Sequence, residues 1–265
     1  MKSIFKGIFL FWIFSSLNPT YAMPSMVNYI PNCDTVAYQN FFLTTGILKY
    51  SYSGPLKDAH VATDNSTWYG LQLGLKKAEI GVDYLSNKAF VDERSALYPG
   101  PVCYNFKYRL LTEGKDPISL AIGSYNLGAP KLNDLPFDCY YPSPYIVGTK
   151  TIRSVRFHLG YQTALVGYKN VDYDKKKNDG VIAGFDTVIL KSKNHALTLL
   201  AEYLSGPMSS INVGLQQSIS ARWSWSFCSF HPLTQHLEPV QGSPVEFPRQ
   251  YYFGVGYQFP CGFQF

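Results

Sequence analysis

Strict alternation of apolar and polar residues runs through most of this 265-residue chain from residue 40 onward. In the segment TWYGLQLGL, Tyr69, Leu71 and Leu73 share one face, while Gly70 and Gln72 share the other. The same period of two recurs in AEIGVDY, YNFKYRL, ISLAIGS, VRFHLGYQ, LTLLAEY, INVGLQ, RWSWSFCS and YYFGVGYQF. Because successive side chains of a β-strand point to opposite faces, the pattern predicts an all-β chain of about twelve strands. No segment keeps the 3.6-residue period of a helix.

The connections between the predicted strands alternate between long and short. Residues 76–77 and 152–154 are tight turns, whereas residues 126–144 and 231–249 are long; residues 205–210, of intermediate length, fit the alternation least well. An even number of strands, with short connections collected at one end and long ones at the other, is what a closed barrel requires. The sequence therefore predicts a closed antiparallel up-and-down β-barrel.

Composition decides which face of the strands points outward. A water-soluble barrel places its apolar side chains inside and charged ones outside. Here the polar face is rich in Gly, Ser and Gln, and charged residues make up only 15 % of the chain, below the roughly 25 % of typical soluble domains. Aromatic residues such as Tyr69, Tyr161 and Trp223 recur near strand ends, where their rings suit headgroup depth. We therefore expect the apolar face to contact lipid.

With these features the sequence resembles the bacterial outer-membrane β-barrels, which combine long extracellular loops, short periplasmic turns and an apolar exterior. It is also similar to a group of small outer-membrane barrels without an assigned activity, in GLQLGLKKAEIGVDYL, DGVIAGFD and LTLLAEYLSG. The resemblance implies a location in the bacterial outer membrane and contact with its lipid. It also implies insertion by the barrel assembly machinery, which recognises a C-terminal strand ending on an aromatic residue.

Residues 251–259 fit such a terminal strand. Pro260 cannot donate a ladder hydrogen bond, so we place the end of the strand at Phe259. The chain then continues to a second aromatic end at Phe265. Whether the assembly signal ends at Phe259 or at Phe265 stays open.

The first 22 residues have the pattern of a secretory signal peptide: Lys2 and Lys6, an apolar run over 8–14, and a small residue at Ala22. The apolar run is too short for a spanning helix, which needs about 20 residues. Residues 23–265 are then one barrel domain. Without the signal peptide's two lysines the formal net charge falls from +5 to +3, which is too small to indicate a nucleic-acid partner.

Charged residues on the polar face are assigned to the barrel lumen, because an Arg or Lys at mid-depth in lipid costs about 2–4 kcal/mol. The residues so assigned, four of each sign, are Lys76, Glu79, Asp83, Lys107, Arg109, Arg156, Asp186 and Glu202. Two interpretations stay open. The charges form a constriction that filters small solutes, or they neutralise one another and fill a narrow barrel.

Catalytic and metal-binding chemistry finds little support in the sequence. His158 lies on the lumen face, but no Ser, Asn or Asp stands at a matching spacing. The charged run at 171–180 departs from the calcium-loop template, which ends on a bidentate Glu. We therefore expect no enzyme, no bound metal and no cofactor. The favoured function is a small pore or solute channel, and the alternative is a non-conducting structural or surface-interaction barrel that acts through its extracellular loops.

Five cysteines show no metal-binding spacing, and export would allow disulfides to persist. Cys33 and Cys261 are predicted at the periplasmic end, Cys103 and Cys139 near the extracellular rim, and Cys228 in the lumen. The expected disulfides are Cys33–Cys261 and Cys103–Cys139, and the alternative is free or intermolecular thiols.

Overall fold

In the computed structural model, twelve strands form one closed antiparallel barrel and two short strands form a separate hairpin. The structure describes residues 31–51, 65–87, 102–127, 143–163, 179–205, 209–220, 222–233, 237–240, 243–245 and 249–262. The predicted signal peptide, residues 1–22, lies outside these ranges. No helix in the described part of the chain is long and apolar enough to cross a membrane.

Each barrel strand pairs with its neighbours in sequence, and the first strand closes on the last. The barrel strands are β1 (Asn40–Ser51), β2 (Asn65–Gly74), β3 (Ala78–Asn87), β4 (Val102–Leu111), β5 (Ser119–Leu127), β6 (Ser143–Ile152), β7 (Val155–Thr163), β8 (Asp179–Lys191), β9 (Ala196–Leu204), β10 (Ser210–Ser218), β11 (Trp223–Pro232) and β14 (Arg249–Pro260). The hairpin of β12 (Leu237–Val240) and β13 (Ser243–Val245) lies in the connection between β11 and β14. The predicted closed barrel of twelve strands is confirmed.

The exterior of the barrel is apolar, as the alternation predicts. In β4, Tyr104, Phe106 and Tyr108 are exposed, while Cys103 and Lys107 on the opposite face are buried. The same alternation of exposed and buried residues follows β7, β10 and β11. A barrel with apolar residues outside and polar residues inside is suited to lipid, where closure also pairs every strand edge.

The two ends of the barrel differ in the length of their connections. At one end, here called the turn end, the short turns 75–77, 112–118, 153–154, 192–195 and 219–222 join the strands. β1 begins and β14 ends at this same end. In outer-membrane barrels the short turns face the periplasm. The even strand number, the apolar exterior and this asymmetry are those of a bacterial outer-membrane protein, and that membrane is where the chain resides.

Aromatic side chains cross the closing seam at the turn end. Phe41 on β1 lies 5.5 Å from Phe259 on β14 between ring centroids, and Tyr257 lies 4.5 Å from Trp223 on β11. β14 extends one residue beyond the predicted end at Phe259, because Pro260 still stands opposite Asn40 in the register. Residues 263–265 lie outside the described residues, so the end of the assembly signal stays a prediction.

Candidate functional site

Residues 31–36, in the described stretch before β1, lie inside the barrel. Within this lumen segment, defined as residues 31–39, Asn32, Cys33 and Val36 are each 1 % exposed. Gln39 donates its backbone N–H to the carbonyl of Gly74 at the end of β2, at 3.0 Å, and accepts the N–H of Cys261 at 2.9 Å. These bonds hold the exit of the segment at the turn end. The sequence analysis did not predict the segment, since it lacks a strand period.

Two charged residues of the β3–β4 wall bind the backbone of the lumen segment. The N–H of Val36 donates to Glu79 Oε2 at 2.8 Å, and Lys107 Nζ donates to the carbonyl of Asp34 at 2.8 Å. Glu79 and Lys107 stand opposite each other in the strand register, and both are buried. This wall therefore offers one acceptor and one donor, side by side, to an extended backbone.

A second part of the wall, formed by β7 and β8, binds the side chain of Asp34. Arg156 Nη1 lies 2.6 Å from Asp34 Oδ2, while its Nη2 lies 3.0 Å from Asp186 Oδ2. Arg156 and Asp186 are direct neighbours across β7 and β8. One guanidinium therefore joins a carboxylate of the wall to a carboxylate of the segment. Asp34 is a site residue that the sequence analysis missed.

His158 extends this network to the backbone of the segment. Its Nε2 lies 2.9 Å from Asp186 Oδ2 and its Nδ1 2.9 Å from Thr149 Oγ1, which accepts the N–H of Cys33 at 3.2 Å. The sequence analysis found no Ser, Asn or Asp at a matching spacing along the strand of His158; its partners Thr149 and Asp186 instead approach it from the neighbouring strands β6 and β8.

A hydroxyl, an imidazole and a carboxylate in a row are the parts of a nucleophile–base site. Here, however, the hydroxyl of Thr149 is occupied by the backbone of Cys33, and His158 and Asp186 are buried beneath the lumen segment. With the segment in place, the row leaves no position for a substrate, and its contacts are those of an anchor. In the described part of the chain, no group of three or more His, Cys, Asp or Glu side chains is arranged to hold a metal ion.

Apolar packing holds the lumen segment on two sides. Cys33 belongs to a buried cluster with Ala121, Tyr145, Val147, Ile182 and Leu200. Val36 belongs to a second cluster with Phe42, Cys228 and Tyr252. The first cluster lies on β5, β6, β8 and β9, and the second on β1, β11 and β14, so the segment bridges different sectors of the wall.

Glycine at position 74 makes room for the segment where it leaves the lumen. A Cβ at this position would collide with the carbonyl oxygens of Val36 and Ala37. The alternation of the sequence assigns Gly74 to the lumen face but gives no reason for the absence of a side chain. The close approach of the lumen segment supplies that reason.

A small cavity remains beside the segment. It has a volume of about 30 Å³ and is lined by residues that include Trp68, Gln72, Asp83 and Tyr125. The rings of Tyr125 and Tyr145 stack here with centroids 4.7 Å apart, and Asn105 donates to Asp83. A cavity of this size has room for one or two water molecules and is too small for a larger solute.

The predicted lumen charges fall into three groups. Glu79, Lys107, Arg156, Asp186 and Glu202 are buried in the lumen, and Asp83 and Arg109 are partly buried on lumen faces. Glu202 accepts a hydrogen bond from Asn212 Nδ2 at 3.0 Å. The assignment of Lys76 was wrong: β2 ends at Gly74, so Lys76 belongs to the following turn and is exposed. A solute-filtering constriction stays a prediction.

Compared with the sequence analysis, the lumen loses Lys76 and gains Asp34, and this changes its charge balance. The acidic side chains among the described lumen residues are Asp34, Glu79, Asp83, Asp186 and Glu202. The basic ones are Lys107, Arg109 and Arg156. The sequence analysis expected four charges of each sign, whereas the described lumen has an excess of acids.

The cysteines correct a further expectation. Cys33, Cys103, Cys228 and Cys261 are all buried, and none of these four described cysteines forms a disulfide. Cys33 donates its Sγ–H to the carbonyl of Val147 on β6 at 3.1 Å and forms no bond with Cys261, so the predicted Cys33–Cys261 disulfide was wrong. Cys139 lies outside the described residues. Neither predicted disulfide is therefore formed at the cysteines that the structure describes.

No protein-family model matches the sequence, and no curated protein matches it significantly. Among solved structures, the chain is similar to a KdgM porin with a TM-score of 0.49 at 10 % identity, over 82 % of this chain and 99 % of that one. It is similar to the COG4313 outer membrane channel from Pseudomonas putida F1 with a TM-score of 0.48 at 11 % identity, over 83 % and 95 %. A Pseudomonas aeruginosa FadL homologue gives a TM-score of 0.39 at 8 % identity, over 93 % and 96 %. These similarities concern general barrel architecture and assign no function.

Proposed function

We propose that the protein is an outer-membrane solute channel whose closed state is the one described, with the lumen segment as its plug. The observation that carries the proposal is the position of Asp34, which is held between Lys107 on one wall and Arg156 on the other. A segment that crosses the lumen and binds both walls obstructs passage at the turn end. All of these contacts are non-covalent and therefore reversible.

The wall is arranged so that its charged side chains keep partners of opposite sign when the plug leaves. Arg156 keeps Asp186 as an ion-pair partner at 3.0 Å, and Glu79 stands opposite Lys107 in the register. A buried charge that loses its only partner is expensive, whereas these four residues retain partners of opposite sign on neighbouring strands. This supports a removable plug over a permanent core.

The open channel is expected to favour small cations weakly over anions. Without Asp34, the described lumen retains four acidic and three basic side chains. Charged rings along a pore set its ion preference, and a small excess of one sign gives a small preference. The solute class proposed is therefore small polar molecules and cations.

A non-conducting barrel is the second candidate, and one observation favours it. Cys33 and Val36 each pack into a buried apolar cluster of the wall. Exposing Val36 costs about 1.5–3 kcal/mol, and displacing Cys33 from its cluster adds to that cost. If that cost is not offset, the segment stays in place and the barrel serves a structural role.

Single-channel recording in planar bilayers separates the two candidates. We expect the unaltered protein to open rarely and a variant lacking residues 31–37 to show sustained stepwise conductance, because the deletion removes the contacts of Cys33, Asp34 and Val36 with the barrel wall. Silence of the deletion variant, with a normally folded barrel on an unboiled gel, would contradict the channel and favour the structural role.

A cross-link tests whether the plug itself is the gate. Thr149→Cys places a second thiol beside Cys33, whose backbone nitrogen lies 3.2 Å from Thr149 Oγ1. We expect oxidation of this variant to abolish the openings and a reductant to restore them. The matched control carries Thr149→Cys together with Cys33→Ser and cannot form the bridge. Its openings should not change when the oxidant is added.

A further inference from the structure

Basic residues surround the turn end of the barrel. Each of the five short turns contributes at least one exposed basic side chain. These residues are Lys76, Lys77, Lys115, Arg153, Lys193 and Arg222. Lys150 and Lys191 at strand ends add two more. The same turns contain two acids, Glu113 and Asp116, so this basic rim has a net charge of +6.

Both acids of the rim are engaged within their own sector. Glu113 Oε1 lies 3.0 Å from Lys150 Nζ, and Asp116 accepts the N–H of Thr112 at 2.9 Å. The turns with Lys193 and Arg222 contain no acid, and they lie side by side because β9 pairs with β10. The β8–β11 sector therefore presents uncompensated positive charge to its surroundings.

The charges lie next to the lipid-facing surface. Trp223 follows Arg222 directly, is 50 % exposed on the outer face and packs against Tyr257. Exposed Trp and Tyr side chains mark headgroup depth in membrane proteins, and Lys and Arg side chains extend from that depth toward charged headgroups. The basic rim is thus at the level of phospholipid phosphates rather than in open periplasm.

The opposite end has no such excess. The connections 52–64, 88–101, 128–142, 164–178, 205–209 and 233–248, counted with the strand-end residues Lys49, Asp179 and Arg249, contain ten basic and eleven acidic residues. The positive charge of the mature chain is therefore concentrated at one end, which general solubility does not require. A concentration of this kind points to an anionic surface at that end.

We propose that the basic rim binds the headgroups of anionic phospholipids in the inner leaflet of the outer membrane. Positively charged side chains at an anionic bilayer surface each gain attraction from the surface potential, and ionic strength screens that attraction within about 8–10 Å. The partner is thus a bilayer lipid with a phosphate and a net negative charge, such as phosphatidylglycerol. This inference does not depend on whether the barrel conducts.

Native tryptophans provide a test with the full chain in vesicles. Trp223 and Trp225 lie on the outer face of β11, where they alternate along the strand with buried residues that face the lumen. Both belong to the β8–β11 sector. Phospholipids brominated on the acyl chain quench such residues on contact. We expect brominated phosphatidylglycerol to associate several-fold more strongly than brominated phosphatidylcholine at equal mole fraction. High salt should reduce this ratio.

The variant Lys193→Gln with Arg222→Gln should bring the ratio close to one, since each basic residue contributes up to about fivefold. Its control, Lys49→Gln with Arg249→Gln, removes the same charge from exposed strand ends at the other end of the barrel and should leave the ratio unchanged. Equal quenching by both lipids in the unaltered protein would overturn the proposal, as would identical ratios in the two variants. If the variant Lys193→Gln with Arg222→Gln kept the lipid ratio of the unaltered protein but no longer bound soluble polyglutamate, the proposal would be overturned in favour of an acidic protein partner.

Discussion

Replacing Arg156 by alanine is expected to lower the free energy of unfolding by about 3–5 kcal/mol, the usual cost of removing one partner from a buried ion pair. The guanidinium lies between Asp186 at 3.0 Å and Asp34 at 2.6 Å, so its loss leaves two carboxylates facing each other in the lumen. Urea unfolding in vesicles, followed by the mobility of unboiled protein on gels, measures the change. The same variant should open more often in planar bilayers, because the plug loses its anchor on β7.

Lys76→Ala is the matched control, since it also removes one positive charge. Lys76 is exposed in the β2–β3 turn, so the expected change is within about 0.5 kcal/mol. Adding Asp186→Ala to Arg156→Ala should recover part of the loss, because the double variant no longer buries a carboxylate on β8 that has lost its arginine. Equal effects of Arg156→Ala and Lys76→Ala would show that the lumen network contributes no stability.

Phe227→Lys is expected to destabilise the protein by about 2–4 kcal/mol, the cost of a lysine on the lipid face at mid-depth. Phe227 lies near the middle of β11, between Leu215 and Phe253 on the neighbouring strands. The same urea titration in vesicles measures the effect. Transfer into a detergent whose micelle admits water around the barrel should reduce it.

Ile219→Lys separates lipid contact from exposure alone. Ile219 and Phe227 are both 44 % exposed, but Ile219 lies in the β10–β11 turn at the edge of the membrane. We expect its substitution to cost about 0–1 kcal/mol, because lysine near the interface reaches water. If both lysines had the same small effect, the outer face of β11 would not contact hydrocarbon.

The barrel could be predicted from the sequence because its main signal is local. Alternation in a segment such as 102–111 places Tyr104, Phe106 and Tyr108 on one face without any knowledge of the neighbouring strands. The high cost of charge in hydrocarbon then assigns Lys107 to the lumen, where the structure has it buried. Only the strand boundary misled this reasoning at Lys76, since a period of two does not say where β2 ends.

The plug could not be predicted in this way. Residues 31–39 have no strand period, and their contacts join positions far apart in the chain, such as Val36 with Glu79 and Asp34 with Arg156. The partners of His158 were missed for a related reason. Thr149 and Asp186 reach it from adjacent strands, so their proximity depends on register, which in-strand spacing does not contain.

Strand number, the direction of each strand face and the lipid-facing exterior all follow from the order of residues in single segments. They do so because the side-chain period of a strand is local and because lipid rejects charge whatever the fold. The filling of the lumen, the ion pairs and the state of the cysteines depended on barrel closure. Closure brings walls from different parts of the chain around one narrow space, and only there do Asp34, Lys107 and Arg156 meet.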